Sequence, residues 1–229
     1  MTALLFLLLT AGVEPQSRLE TYQSARTALE SRRLDLAADA KHHPAKARQL
    51  ARRTLLDYLE QSAFPAWKGT PWAFYGTTTT PGEGTIACGY FVTTVFEQAG
   101  FKIDRVLLAQ QASTWLVTTF ARGSKVERLT PKDNADAVTQ IRKRFGDDAL
   151  VVIGFDYHVG LLRLDGDRAE FCHSSFIEPA SVTCEDPIHA GAFASSVYVV
   201  ADALNDVFLD DWLAGRAVKS VLPAKPRRE

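Results

Sequence analysis

The chain has 229 residues, of which 46% are hydrophobic and 23% charged, and its formal net charge is −1. This is the composition of an ordinary globular protein, and the length suits one domain with an extension better than two full domains. A charge so close to neutral gives no reason to expect a nucleic-acid partner. We expect a monomer that does not bind nucleic acid.

The first twelve residues have the pattern of an export signal. Residues 3–9 form an uninterrupted apolar run, which is followed by the small residues Ala11 and Gly12. The run is too short to span a bilayer but long enough for the core of a signal peptide. No Lys or Arg precedes it, so either the true start lies upstream or the run is a buried helix end. We favour a signal peptide over residues 1–12, and hence a secreted or periplasmic protein with no stable membrane anchor.

Two helical patterns follow. Apolar residues recur at helical spacing over residues 16–42 and 44–63, and Pro44 stands at a position that suits a helix start. Together they predict a helical hairpin that extends over residues 13–65. Its many basic residues are interspersed with acidic ones, which favours a solvated helix face.

Residues 65–86 break the helical pattern with Gly, Pro and four successive threonines, and they include Trp67, Trp72, Phe74 and Tyr75. Loops of this length in a compact domain are usually functional or disordered. Four aromatic residues argue against disorder. The segment therefore predicts an ordered cleft wall directly before Cys88.

The remainder of the chain predicts helices first and strands afterwards. Helical patterns cover residues 88–100, 112–121 and 132–145; strand patterns cover residues 149–155, 157–164, 168–175 and 196–201; a final helix covers residues 205–214. This order implies an α+β fold in which helices pack on a central antiparallel sheet. We place this domain at residues 66–215 and a basic tail at residues 216–229.

An Asp-Gly pair brings two histidines together. Asp165-Gly166 between two apolar runs is the strongest short signal for a two-residue type I′ hairpin. With this pair at the centre of the turn, counting outward places His158 directly opposite His173. Their side chains would then share one face, about 5 Å apart at Cβ.

The three cysteines divide into a pair and a single thiol. In an oxidising compartment, Cys172 and Cys184 are near enough in sequence to close a small loop. Such a bridge is worth about 3 kcal/mol by loop entropy. Cys88 would remain free. The alternative is that all three are reduced and buried as small hydrophobic residues.

Cys88 and the two histidines have the outline of a cysteine-nucleophile site. The first turn of a helix favours an anion, and an imidazole in hydrogen-bond reach would form a thiolate–imidazolium pair, so we expect a lowered thiol pKa. His158 would be the base, with Gly160 leaving room beside its ring, and His173 would orient it. The backbone N–H of Cys88 would be one oxyanion donor.

Other interpretations of these three residues stay open. A cysteine in an apolar helix is more often a core residue than a nucleophile, and a strand histidine is often only a satisfied polar residue. A zinc site built from Cys88, His158 and His173 ranks low, because no close-spaced ligand pair supports it. We expect no metal and no cofactor.

Five segments, taken in order, resemble a known family. They are Gly69-Thr70-Pro71-Trp72, Phe74-Tyr75-Gly76-Thr77, Gly84-Thr85-Ile86-Ala87-Cys88-Gly89, His158-Val159-Gly160 and His173. The set is similar to the motifs of NlpC-type cell-wall cysteine peptidases, relatives of papain by fold. The chain departs from the family pattern at Ala87, where the family has Asp, and at Gly89, where it has Ser.

The resemblance implies a papain-like fold and hydrolysis of an amide through a thioester, with Cys88 as nucleophile, His158 as base and His173 as orienting residue. Trp72 and Tyr75 would line the substrate cleft. The implied substrate is a bond in the peptide stems of peptidoglycan. Two other functions fit the same residues: acyl transfer to an amine or alcohol, and a non-catalytic module that binds a wall peptide.

Overall fold

The structure is a computed structural model and describes residues 15–223. The predicted signal peptide and the last six residues of the predicted tail lie outside this range. No helix within it is long and apolar enough to cross a membrane. The helices are Pro15–Ala40 (α1), Pro44–Tyr58 (α2), Phe64–Trp67 (α3), Cys88–Gln98 (α4), Arg105–Ala109 (α5), Ser113–Ala121 (α6), Asn134–Phe145 (α7) and Asp206–Ala214 (α8). The strands are Glu127–Leu129 (β1), Asp148–Gly154 (β2), Val159–Asp165 (β3), Arg168–Ser174 (β4), Val182–Glu185 (β5) and Tyr198–Asp202 (β6).

The strands form one open antiparallel sheet in the order β1-β6-β2-β3-β4-β5. The predicted α+β class, with helices packed on an antiparallel sheet, is therefore confirmed. The predicted meander accounts for β2, β3 and β4, whereas β6 returns to pair with β2. The sequence did not predict β1 and β5, because strands of three and four residues are too short to show an alternating pattern.

The register of the β3–β4 hairpin differs from the prediction by two residues. Asp165 pairs with Arg168 and Gly160 pairs with His173, so the turn is centred on Gly166-Asp167. Gly166 has a φ of 54°, as the first central residue of a type II′ turn requires, and Asp167 needs no such conformation. The prediction that His158 stands directly opposite His173 is wrong. Because the shift is an even number, each side chain keeps its predicted face.

Both faces of the sheet are covered. One hydrophobic cluster joins α1, α2, α4, α6 and α8 to one face, and it includes Leu36, Leu55 and Leu161. A second cluster, which contains Ile141 of α7 and Val151 of β2, covers the other face. The helical hairpin thus shares its core with the sheet. Its assignment as an extension separate from residues 66–215 stays a prediction.

The disulfide prediction is confirmed: Cys172 is bonded to Cys184, and Cys88 is free. The two bonded residues are direct cross-strand partners in the β4–β5 pair. Strand β5 is the edge of the sheet, so the bridge joins an edge strand of four residues to the strand that carries His173. The disulfide therefore holds together the part of the sheet that supports the predicted site.

Reduction of the Cys172–Cys184 bond should lower the free energy of unfolding by about 3 kcal/mol, the loop-entropy value for a loop of this size. Denaturant unfolding of the oxidised and reduced protein measures the difference. The Cys88→Ala variant is the control and should show the same difference. Equal stability with and without reductant would contradict a structural role for the bridge.

Candidate functional site

Cys88 is the first residue of α4, and the preceding Ala87 is extended and provides no side-chain cap. The first N–H groups of the helix are thus left for other partners. The next residue, Gly89, fixes the position of this turn. A Cβ atom there would lie 2.5 Å from the carbonyl oxygen of Ala109, so α5 packs directly against the helix start. The missing side chain at Gly89 allows this approach.

The segment before Cys88 is ordered by backbone hydrogen bonds, as the aromatic loop predicted. Ile86 N–H donates to the Pro71 carbonyl at 2.9 Å, and Ala87 N–H donates to the Gly76 carbonyl at 2.9 Å. A Cβ atom at Gly76 would meet the Ile86 backbone nitrogen at 2.5 Å, so glycine is needed for the close approach. The loop therefore forms a fixed wall beside the thiol.

The two histidines and a carboxylate form a chain of hydrogen bonds. His158 Nε2 lies 3.1 Å from His173 Nδ1, and His173 Nε2 lies 2.9 Å from Glu185 Oε1. His158 precedes β3 and His173 lies in β4, so they meet diagonally. The predicted contact between the rings is present despite the register error. Sequence reasoning missed Glu185, because the short strand β5 that carries it gave no pattern.

Burial keeps both imidazoles neutral. It lowers the pKa of His158 to about 3, with a smaller contribution from His173, and it lowers the pKa of His173 to about 4. His173 is 2% exposed. Burial also raises the pKa of the Glu185 carboxyl. At neutral pH the rings therefore act through hydrogen bonds between neutral groups, whose directions depend on the tautomers.

An ionised Glu185 would set both tautomers. A carboxylate only accepts hydrogen bonds, so His173 Nε2 must carry a proton and donate to it. His173 Nδ1 is then unprotonated and accepts the proton that His158 Nε2 donates. The lone pair of His158 is left on Nδ1. With Glu185 ionised, the chain makes His158 a base at one defined nitrogen, which is the function that an orienting group performs in a catalytic triad.

The absence of a side chain at Gly160 allows the Phe171 ring to approach. A Cβ atom there would lie 2.4 Å from Phe171 Cε2, so the space beside Gly160 is filled by the Phe171 ring. That ring stacks on His173, with centroids 4.5 Å apart. Gly160 therefore makes room for the residue that packs the orienting histidine, and a larger side chain would displace both.

The thiol is neutral at rest. Burial raises the pKa of Cys88, and backbone groups of Gly89, Val159 and Cys88 itself lower it by a smaller amount. The prediction of a lowered pKa is wrong, because loss of hydration outweighs the favourable helix start. Within residues 15–223, the thiol and His158 form no hydrogen bond. Such bonds are often long in a free enzyme and tighten when substrate binds.

Cys88 and His158 open onto the same cavity, whose volume is about 900 Å³. Trp72 and Tyr75 also line it, as the resemblance implied. His173 lies behind His158 and is buried. The backbone of Val159, adjacent to His158, is near enough to the thiol to affect its pKa. The structure thus brings the predicted nucleophile and the predicted base to one cavity, with the predicted orienting residue behind the base.

Among the described residues, one cluster could supply three metal ligands: Glu170, Cys172 and Cys184. The disulfide engages both of its sulfur atoms. Cys88, His158 and His173 do not form such a cluster.

Comparison of the chain with models of protein families, with curated proteins and with solved structures finds no match. The resemblance to NlpC-type peptidases is accordingly limited to the five sequence segments.

Glu185→Gln should lower the kcat of a Cys88-dependent reaction by about 10- to 100-fold with little change in KM, because an amide no longer selects one tautomer. Steady-state kinetics measures both constants. Glu170→Gln makes the same chemical change on the neighbouring strand and is the matched control. If the two variants had equal kcat, Glu185 would have no function in orienting the histidines.

Proposed function

We propose that the protein is a cysteine-dependent amidase or peptidase with a papain-like arrangement. The observation that carries the proposal is one cavity that exposes a free thiol at a helix start and an imidazole held by a second imidazole and a carboxylate. The order of elements, with the cysteine helix before an antiparallel sheet that supports the histidines, supports the papain-like assignment.

In the first half of the proposed reaction, the Cys88 sulfur adds to the carbonyl carbon of an amide while His158 Nδ1 takes the thiol proton. The backbone N–H groups at the start of α4 stabilise the negative charge on the carbonyl oxygen. The C–N bond then breaks, and the imidazolium returns the proton to the leaving amine. The products of this half are a free amine and a thioester on Cys88.

In the second half, water attacks the thioester and His158 takes its proton. The S–C bond breaks, the sulfur recovers a proton, and a carboxylic acid leaves. Because thiol and imidazole are both neutral at rest, the charge separation occurs only during attack on substrate. The apolar surroundings that raise the thiol pKa thus also suppress reaction of the free thiol with other electrophiles.

The proposed location is extracytoplasmic. A structural disulfide is typical of secreted and periplasmic proteins and rare in the cytosol. This agrees with the signal peptide predicted from the first residues. The stem peptide of peptidoglycan as substrate stays a prediction of the family resemblance.

Cys88→Ala should lower hydrolysis of amide substrates by roughly a thousandfold or more, because the acceptor of the acyl group is removed.

The wild-type kcat/KM should be flat from about pH 6 to pH 8. Protonation of His158 or His173 abolishes the base, and burial moves this event to pH values well below the 6.5 of an ordinary histidine.

The assay follows both small p-nitroanilides and peptides released from purified peptidoglycan, with mass spectrometry of the products. Equal product from wild type and Cys88→Ala would rule out catalysis by this thiol. An acid limb centred near pH 6.5 would show that the histidines are charged in the working pH range and would contradict the neutral pair.

A further inference from the structure

Large apolar side chains surround the mouth of the cavity and are exposed to solvent. Phe74 is 72% exposed, Tyr75 87%, Tyr157 99%, Phe176 69% and Ile177 40%. All five line the cavity that contains Cys88. Contiguous exposed apolar surface is uncommon on a folded protein and marks a site where another molecule binds.

Two pairs of aromatic rings on this wall contact each other. The Phe176 ring lies 5.7 Å from the ring of Trp72, and the rings of Phe74 and Tyr75 meet edge to face at 4.9 Å. The segment of Trp72 is fixed by its backbone N–H, which donates to the Ala180 carbonyl at 2.8 Å. The part of the wall formed by Trp72 and Phe176 is thus held by contacts within the protein, which lowers the cost of ordering it when a ligand binds.

The same wall is poor in positive charge. Of the described residues that line the cavity, none is Lys or Arg, and one, Asp156, is acidic. The Asp156 carboxylate accepts a hydrogen bond from Ser196 Oγ at 3.4 Å. An anionic group in this cavity would lose hydration, meet a carboxylate and find no cation. A stem peptide of peptidoglycan carries several free carboxylates and is poorly matched to such a wall.

We infer that the acyl group transferred to Cys88 is neutral and apolar, an alkyl or aryl chain, and that the substrate is an amide of such an acid. This inference rests on the proposed cysteine chemistry and specifies its substrate class. The bonds that form and break are those given above: the acyl carbon passes from nitrogen to sulfur, then from sulfur to water, and a fatty or aromatic acid leaves. The aromatic side chains bind the hydrocarbon part while the carbonyl reaches the thiol.

The test uses two p-nitroanilides with acyl chains of equal length, octanoyl and suberoyl. They differ in that the suberoyl chain ends in a carboxylate. Butyryl p-nitroanilide is the short reference. We expect kcat/KM to rise by about tenfold or more from butyryl to octanoyl, since each buried methylene adds to binding. We expect suberoyl to fall about tenfold or more below octanoyl.

Substitutions of residues that line the cavity test whether the wall causes this preference. Phe176→Ser should reduce the octanoyl-to-butyryl ratio several-fold, whereas Leu34→Ser, an exposed apolar residue of α1 that does not line the cavity, should leave it unchanged. Asp156→Asn should reduce the difference in kcat/KM between the octanoyl and suberoyl substrates. Calorimetry of both ligands with the Cys88→Ala variant measures the same preference without any dependence on catalysis.

The outcomes separate the two proposals. Two results would overturn the apolar acyl group but not the thiol chemistry. One is Cys88-dependent hydrolysis without preference for octanoyl over suberoyl; the other is Cys88-dependent release of stem peptides faster than octanoate. Tighter binding of octanoyl than suberoyl by Cys88→Ala, with no hydrolysis by the wild type, supports the apolar site and refutes the catalysis. Failure of both ligands to bind refutes the apolar site.

Discussion

The hydrogen-bonded chain His158–His173–Glu185 is the interaction on which the rest of the site depends. The two imidazoles are buried, where a charge is costly. His158 Nε2 and both ring nitrogens of His173 have hydrogen-bond partners within the chain. The surrounding structure supports this chain at His173 and at the strand of Glu185. Phe171 stacks on the His173 ring. The disulfide between Cys172 and Cys184 joins strand β4, which carries His173, to strand β5, which carries Glu185.

Loss of hydration explains both the chemistry and the selectivity that we propose. The same surroundings raise the pKa of the Cys88 thiol and lower that of His158, so the nucleophile and base rest as neutral groups. A cavity of this kind favours a neutral acyl group over an anionic one, because every charge that enters it loses water. In the proposed reaction, charge appears only when the sulfur attacks a carbonyl carbon, near the backbone N–H groups at the start of α4.

Periodicity and turn chemistry predicted most of the fold, but burial and short strands limited the prediction of the site. The contact of His158 with His173 was found through a wrong register, because Asp165-Gly166-Asp167 contains both an Asp-Gly and a Gly-Asp turn and an even shift preserves the face. Glu185 was missed because β5 has four residues. The sign of the Cys88 pKa shift was wrong, since a sequence locates a helix start but not the loss of water around it.

The tautomers of the two histidines test the central claim most directly. Nitrogen-15 NMR of the histidine side chains, assigned with His158→Gln and His173→Gln, distinguishes the two neutral tautomers from imidazolium. We predict that His158 and His173 are both neutral at pH 7 with the proton on Nε2, and that both remain uncharged at a pH one unit below the 6.5 of an ordinary histidine. A proton on Nδ1 of His158 at pH 7, or an imidazolium at either position under these conditions, would contradict the account.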